Sequence, residues 1–175
     1  KAFNLIENFD IDKWSSSVSG SNFYFNDYSE EEEIHHLDGQ TIEEAEHQIA
    51  TRLYQNNARV HFNQHIEKSG RFGKRIIYGG YIISLARAIS CNGLANTFKL
   101  AAIHSGKHSA PTFAGDTIYA WSKILEKEII HKNVGAMMIR TLASKNDSKM
   151  NFPDKKNLTD NIVLDLEYSV LIPIK

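Results

Sequence analysis

The run Ile76-Ile77-Tyr78-Gly79-Gly80-Tyr81-Ile82-Ile83-Ser84-Leu85-Ala86 joins a glycine pair to a mostly apolar stretch that continues to Ile89. The sequence Cys91-Asn92-Gly93 follows, and an Asn-Gly pair just past an apolar segment is typical of a helix end. A helix that is hydrophobic nearly all round is buried. The run therefore predicts a buried helix from Tyr81 to Ile89, most simply wrapped by a sheet.

The second half of the chain has the composition of strands. The segment from Ile162 to Ile172 is the clearest, because apolar residues alternate along it with a period of two, which predicts one face in the core. The charged segment 146–161 contains Pro153 and predicts a hairpin connection of unusual length. One buried helix followed by antiparallel strands is an α+β architecture. The predicted strands are 97–103, 117–125, 137–143 and 162–172.

A second helix is predicted nearer the N-terminus. Thr41-Ile42-Glu43-Glu44 fits a capping box, in which Thr41 and Glu44 satisfy each other's backbone donors. Apolar residues then recur at helical spacing, which predicts a helix over 42–55 that ends at a Gln-Asn-Asn turn. The acidic run 30–33 predicts a solvated turn. Residues 1–25 are interpreted as an N-terminal extension and 26–175 as one domain.

One histidine lies among carboxamides in the stretch Tyr54-Gln55-Asn56-Asn57-Ala58-Arg59-Val60-His61-Phe62. Histidine titrates near neutrality and can both give and take a proton. Gln55, Asn56 and Asn63 carry amides that can hold a water molecule. His61 is therefore a candidate acid/base residue, and the alternative is a histidine whose hydrogen bonds are satisfied within the fold.

Backbone groups are the second kind of candidate. Gly79 and Gly80 either let the chain turn tightly into the helix, or present the Gly80 N–H at a helix N-terminus to stabilise a thioester enolate. Phe113-Ala114-Gly115-Asp116-Thr117 opens a predicted strand, and by itself it is a Gly-Asp turn.

Two clusters of basic side chains remain open in function. The loop residues Arg71, Lys74 and Arg75 either hold phosphates or only solubilise the surface. A weaker resemblance to a metal or phosphate site comes from the group His104, Lys107 and His108. No Cys/His spacing matches a zinc site, so no metal is expected.

Composition limits the classes of function. The length of 175 residues predicts one domain, and a net charge of −1 argues against nucleic acid or an anionic membrane as partner. Cys91 is the single cysteine, which indicates a reducing compartment and predicts a cytoplasmic location. No apolar run approaches a membrane span, and the start Lys1-Ala2-Phe3 shows no secretion signal and no Met.

Taken in order, the motifs resemble the MaoC-like, R-specific enoyl-CoA hydratases of the hot-dog fold. The similarity covers about residues 25–173 and is strongest to the C-terminal unit of the mesaconyl-type branch. The segments that carry it are Asp38-Gly39-Gln40-Thr41, residues 43–47, 50–56 and 58–63, Gly70-Arg71-Phe72-Gly73, residues 75–80, Asn92-Gly93-Leu94-Ala95-Asn96, residues 113–122, and Arg140-Thr141.

The resemblance implies a curved antiparallel sheet around one long helix, paired with a second such unit, because the acyl-CoA site of the family lies between two units. It implies reversible hydration of a 2-enoyl-CoA, with mesaconyl-CoA giving β-methylmalyl-CoA, and no cofactor beyond the CoA thioester. The implied catalytic residues are His61, Asn56 and Gly80. The implied substrate contacts are Gln55, Tyr78, Gly79, Arg71, Phe113, Gly115 and Asp116.

Two departures from the family pattern keep alternatives open. The family places an Asp five residues before the catalytic His. In this chain that position is Asn56, which can hold water but cannot act as a base. The mesaconyl-type enzymes are usually two fused units, and this chain covers one, so it pairs with a second unit or forms a homodimer. The alternatives are a non-catalytic acyl-CoA-binding or structural half, and a hydratase for itaconyl-CoA or a crotonyl-type substrate.

Overall fold

The computed structural model of the chain describes residues 9–148, 152–153 and 158–175. In this part of the chain, five antiparallel strands form one sheet in the order β1-β3-β4-β5-β2. The strands are β1 (Glu33–Thr41), β2 (Lys99–His108), β3 (Thr117–His131), β4 (Val134–Lys145) and β5 (Ile162–Pro173). The helices are α1 (Ser16–Ser19), α2 (Glu44–Leu53), α3 (Gln64–Glu67), α4 (Gly79–Ile89) and α5 (Cys91–Leu94), with 3-10 turns at Ile11–Lys13, Phe25–Asp27 and Arg59–His61.

The predicted central helix is confirmed as α4, which lies against β1, β3, β4 and β5. Ile82, Leu85 and Ala86 are buried in the main core, where each large aliphatic side chain contributes about 1.5–3 kcal/mol. The expectation of burial nearly all round is wrong, because Ser84 and Ala88 are exposed on the side away from the sheet. No helix in the described residues has the length and hydropathy of a membrane span.

All four predicted strands are present, and the α+β architecture is confirmed. The prediction that one face of β5 lies in the core is too narrow, because nearly all of its residues on both faces are buried. Asp165 on the outer face receives two hydrogen bonds from the guanidinium of Arg140, at 2.8 and 2.9 Å. The Arg140 guanidinium also lies over the Phe152 ring, 5.4 Å from its centroid. The described part of the 146–161 connection thus folds back and covers the sheet.

The N-terminal segment covers another part of the outer face. The Phe9 and Phe98 rings stack at 5.0 Å and Trp14 joins them, beside a small core that contains Leu171 of β5. Asn96 is fully buried, accepts from the Trp14 indole at 3.2 Å and donates to the segment at 21–23. Phe9, Trp14 and the backbone at residues 21 and 23 therefore anchor this segment to the rest of the domain. The domain boundary at residue 25 stays a prediction, and residues 1–8 lie outside the described chain.

Strand β1 was not predicted from the sequence. It is an edge strand, most of its residues are exposed, and charged residues on an edge discourage pairing with other chains. The predicted solvated turn is present at residues 30–31, but the acidic run continues into the strand at Glu33. Lys123 on β3 forms ion pairs with Glu31 and Glu33, at 2.9 and 3.7 Å. The acidic residues therefore also hold β1 to β3.

Helix α2 is shorter than predicted, and the predicted capping box is wrong. Thr41 is the last residue of β1, and its hydroxyl lies 2.8 Å from the hydroxyl of Thr117 on β3. The N-cap is Glu43, which makes no side-chain capping bond. Glu44 instead pairs with Arg75. Thr41 therefore belongs to the strand, although the local sequence predicts it as the helix N-cap.

Candidate active site

The N-terminus of α4 lies at the centre of the site. Tyr78 is the N-cap, in extended conformation, and Gly79 and Gly80 form the first turn. The first N–H groups of a helix have no acceptor within the helix. A Cβ on Gly80 would lie 2.5 Å from the Tyr78 ring, and one on Gly79 would lie 2.6 Å from His108 Nε2. A side chain at either position would therefore displace the Tyr78 or the His108 ring.

His61 approaches this helix from the 3-10 turn at 59–61. Its Nδ1 lies 3.0 Å from the backbone oxygen of Ile76, and a carbonyl oxygen only accepts, so Nδ1 carries a proton. Neutral His61 consequently has its free lone pair on Nε2. The His61 ring lies 5.8 Å from the Tyr78 ring, centroid to centroid. The arrangement provides a base whose tautomer is set by the backbone.

His61 and Gly79 line one cavity of about 400 Å³. The cavity is mostly apolar with a few polar groups, as ligand sites generally are. It is formed by the turn at His61, the loop before α4, the start of α4 and the segment that follows β2. The lining residues are His61, Phe72, Ile76, Ile77, Gly79, Ile82, His108, Ser109, Ala110, Pro111 and Thr112.

His47 supports the site and was missed by sequence reasoning. It is fully buried on α2, and its Nε2 accepts the N–H of Tyr78 at 2.9 Å. Burial lowers the pKa of His47 to about 4, so it is neutral at pH 7 and can accept this bond. The available signal was its helical spacing from Ala50 and Thr51, which form the buried face of α2 with it. His47 joins α2 to the N-terminus of α4.

The carboxamides do not gather at the cavity. Asn56 Oδ1 accepts the N–H of Ala58 at 2.9 Å, which closes the turn leading to His61. Gln55 is exposed, with a positive φ of 51°. Neither lines the cavity among the described residues. The water-holding role of Asn56 and Gln55 stays a prediction, and the structure shows Asn56 in a local positioning role.

The segment Phe113–Thr117 is the turn that its sequence indicates. Asp116 Oδ2 accepts the N–H of Phe113 at 2.9 Å, and Oδ1 accepts from Asn146 at 2.9 Å. Gly115 has a φ of 92°, which favours glycine. Both Asp116 oxygens are thus engaged within the fold. The substrate contact expected from Gly115 and Asp116 stays a prediction, and the structure shows the Asp116 carboxylate holding the turn.

Phe113 itself reaches the rim of the cavity. Its ring packs on Phe72, with centroids 5.6 Å apart, and Phe72 is one of the lining residues. The Lys74 ammonium lies 4.2 Å from the Phe113 centroid, and the Arg71 guanidinium lies 5.0 Å from that of Phe72. Two cations therefore rest on an aromatic pair beside the cavity.

The remaining basic candidates separate in the structure. Arg75 pairs with Glu44 and donates to the Phe62 carbonyl, so it ties the loop to α2. His104 Nε2 lies 2.6 Å from the Ser169 hydroxyl, whereas His108 lines the cavity. Within the described residues, no three His, Cys, Asp or Glu side chains gather to hold a metal ion.

Comparisons with known proteins agree with this geometry, although no protein-family model matches the chain. The chain is 56% identical over 160 residues to a β-methylmalyl-CoA dehydratase from Chloroflexus aurantiacus, a match that covers 89% of this chain and 46% of that protein. It is 44% identical over 161 residues to a mesaconyl-CoA hydratase from Cereibacter sphaeroides, over 90% of this chain and 46% of that protein.

Solved structures show the same relation. A crystal structure described as a MaoC domain protein dehydratase from Chloroflexus aurantiacus matches with a TM-score of 0.94 at 50% identity, over 99% of this chain and 51% of that chain. A Mycobacterium tuberculosis protein with a double hot-dog fold matches with a TM-score of 0.65 at 24% identity, over 92% of this chain and 45% of that chain, which shows the fold alone.

The fold and these relations define the class: the chain is a hot-dog domain, similar to a MaoC domain protein dehydratase. Its close homologues are β-methylmalyl-CoA dehydratase and mesaconyl-CoA hydratase, and the chain spans about half the length of the curated relatives it matches. The predicted resemblance to this family is thereby confirmed. Correspondence to the C-terminal unit in particular stays a prediction.

Proposed function

We propose that this chain is one hot-dog unit of a hydro-lyase that reversibly adds water to a 2-enoyl-CoA thioester. The specific reaction proposed is hydration of mesaconyl-CoA to β-methylmalyl-CoA, which accords with the names of two close homologues. The observation that carries the proposal is the shared cavity, which is lined by both His61 and Gly79, the first residue of α4; Gly80 follows directly but is not itself a lining residue.

The proposed reaction needs one base and one oxyanion site. Nε2 of His61 takes a proton from water while the water oxygen bonds to C3 of the acyl chain. The electron pair of the double bond moves to the thioester oxygen, where the N–H groups of Gly79 and Gly80 stabilise the enolate. The proton on His61 then passes to C2. Hydroxide and proton together account for the added water, and no metal or organic cofactor enters.

The magnitudes suit these roles. A positioned acid or base contributes about 10²–10⁴ in rate. One backbone donor at an oxyanion is worth about 10²–10³. The bond from Tyr78 to His47 supports this role, because it fixes the helix start before substrate arrives. A preorganised donor costs no rearrangement at the moment of reaction.

The CoA moiety is proposed to lie along the aromatic rim. Arg71 and Lys74 rest on Phe72 and Phe113 beside the cavity, where their charges can meet phosphate oxygens. Arg75 is excluded from this role because it is committed to Glu44. Phosphate binding is thus proposed for Arg71 and Lys74, and not for Arg75, the third cation of the loop.

A second hot-dog unit is the proposed partner, either fused in a longer chain or a second copy of this one. Leu100 and Ile103 on the edge strand β2 are 46% and 55% exposed, and Ile49 and Leu53 on α2 are 49% and 71% exposed. Such exposed apolar groups on an edge and a helix face favour a protein partner. A cytoplasmic location is proposed from the single cysteine.

One observation favours a rival function. Asn56 replaces the family carboxylate, and its amide oxygen serves the turn before His61. In this rival function, the chain binds acyl-CoA without reacting with it, or supports a partner unit that carries the catalytic groups. The rival predicts that His61 is dispensable when a partner unit is present.

A hydration assay separates the two. The chain is prepared alone and together with its second unit, and loss of the enoyl-thioester absorbance is followed with mesaconyl-CoA, itaconyl-CoA and crotonyl-CoA. We expect turnover of mesaconyl-CoA and a loss of at least ~10² in His61→Ala. His65→Ala is the matched control, because His65 is exposed on α3 and does not line the cavity. Normal turnover in His61→Ala would assign catalysis to the other unit.

A further inference from the structure

The acyl chain of the proposed substrate carries a charge that the cavity must accommodate. Resting on the proposed function, the thioester is that of a dicarboxylic acid, and its free carboxylate is attached to C3. C3 is also the carbon that receives the hydroxyl group. Whichever side chain binds the carboxylate must therefore line the same cavity as His61.

Few lining residues can bind an anion. The polar side chains among them are those of His61, His108, Ser109 and Thr112. Only the two histidines can carry a positive charge, and His61 is assigned to the attacking water. The cations Arg71 and Lys74 rest instead on the aromatic rings at the rim. The cavity consequently offers one imidazole that the hydration steps do not use.

His108 is held rigidly at the cavity wall. It is the last residue of β2 and pairs with Leu164 of β5. The N–H of the next residue, Ser109, donates to the Val163 carbonyl at 3.2 Å. The Nε2 atom faces the start of α4, since a Cβ on Gly79 would meet it at 2.6 Å. Ser109 follows directly and lines the same cavity. The ring is thus positioned between the sheet and the helix that presents the oxyanion donors.

We propose that His108, assisted by the Ser109 hydroxyl, binds the free carboxylate of the acyl chain and selects dicarboxylic over monocarboxylic enoyl-CoA thioesters. Burial lowers the pKa of His108, because it disfavours the charged ring. An entering carboxylate favours the imidazolium again, so the second ring nitrogen gains a proton and donates to the anion. A hydrogen bond between charged partners is stronger than a neutral one.

Substrate discrimination is the main test, with the full protein including its second unit. In His108→Leu we expect kcat/KM for mesaconyl-CoA to fall about 10- to 100-fold, as for loss of a hydrogen bond to a charged group. The value for crotonyl-CoA should stay within about threefold of the wild type, because it has no carboxylate. His108→Gln retains a donor and should lose less. His104→Leu on the same strand is the control, because His104 bonds Ser169 instead.

Binding of unreactive analogues separates this inference from the proposed function. Calorimetry should show weaker binding of methylsuccinyl-CoA in both His108 variants, with butyryl-CoA unchanged. An equal loss of turnover on both substrates would make His108 catalytic or structural, and no loss on either would also overturn the inference. A wild-type protein that binds methylsuccinyl-CoA through His108 yet hydrates nothing would refute only the proposed hydratase.

Discussion

Replacing His36 by glutamine tests a buried hydrogen-bonded chain that crosses the sheet. His36 on β1 is 3% exposed, and its Nδ1 lies 2.6 Å from the carbonyl oxygen of Asn92. That oxygen only accepts, so Nδ1 carries the proton and Nε2 of the neutral ring accepts from Ser122 Oγ at 2.7 Å. The direction of every further bond follows from this one.

The Ser122 hydroxyl, having donated to His36, accepts from Thr141 at 2.7 Å. Thr141 accepts from the Tyr168 hydroxyl at 2.8 Å, and Tyr168 accepts from Arg87 at 2.9 Å. A proton on His36 Nε2 would make Ser122 the acceptor of that bond, and within this chain the Ser122 proton would regain an acceptor only if the Thr141 and Tyr168 hydroxyls reversed as well. The Tyr168 proton would then face the guanidinium of Arg87, which cannot accept it. The chain therefore stabilises neutral His36 only.

The contribution of neutral His36 to the free energy of unfolding follows from the pKa of its imidazole. Burial is the main cause that lowers the pKa of His36 from 6.5 to about 4. At 1.36 kcal/mol per unit, the difference corresponds to about 3 kcal/mol. The unfolded chain binds a proton below pH 6.5, whereas the folded chain does not until about pH 4. The contribution is therefore complete above pH 6.5, is lost as the pH falls toward 4, and is constant below.

Urea unfolding followed by tryptophan fluorescence, at pH values from 7.5 to 4, measures this contribution. At pH 7.5, His36→Gln should be less stable by about 1–3 kcal/mol, because it leaves buried groups unsatisfied. Near pH 4 the difference should shrink by about 3 kcal/mol or change sign, since the wild type alone has lost the term. His47 titrates in the same window in both proteins and cancels in the comparison.

Parallel curves of unfolding free energy against pH for wild type and His36→Gln would refute this reasoning. They would show that His36 titrates alike in folded and unfolded chains.

Three other outcomes can be checked. Gly80→Ala should lower kcat about 10²-fold with little change in KM, because a Cβ 2.5 Å from Tyr78 shifts the oxyanion donors; an unchanged kcat in steady-state assays would remove Gly80 from that role. His47→Leu should cost about 1–3 kcal/mol in urea unfolding, because the Tyr78 N–H loses its acceptor; equal stability would contradict this. Arg140→Leu should lower the free energy of unfolding by about 3–5 kcal/mol, because it leaves the charge of Asp165 without a partner. The double variant Arg140→Leu, Asp165→Leu should recover much of this stability, measured by thermal unfolding.

The long periodic segments were readable without coordinates. An apolar run predicts helix α4, and a period of two predicts strand β5. The Asn-Gly pair after α4 was also correctly interpreted as a helix end, where Gly93 has a φ of 107°. Strand β1 was unreadable, because an exposed edge strand has little apolar pattern. The capping box at Thr41 failed because pairing with β3 overrode a local preference.

The candidate site was only partly accessible to sequence reasoning. His61 and Gly79 were named from the residue types that hydration chemistry needs and from the resemblance to a family. The local uses of Asn56 and Asp116 were hidden, since both carry side chains that serve water, substrate or a turn equally well. His47 lies within one of the motifs, at residues 43–47, but its role was missed because its partner is the backbone N–H of Tyr78, which is distant in sequence.

Local periodicity and turn chemistry thus predict the helix, the strands and the kind of chemistry, because these depend on neighbours along the chain. The convergence of His61, Gly79 and His108 on one cavity depends on how the turn at His61, α4 and the end of β2 pack together. Contacts between such distant residues have no periodic signature. Only the packed sheet and helix place two imidazoles and a helix N-terminus around the same space.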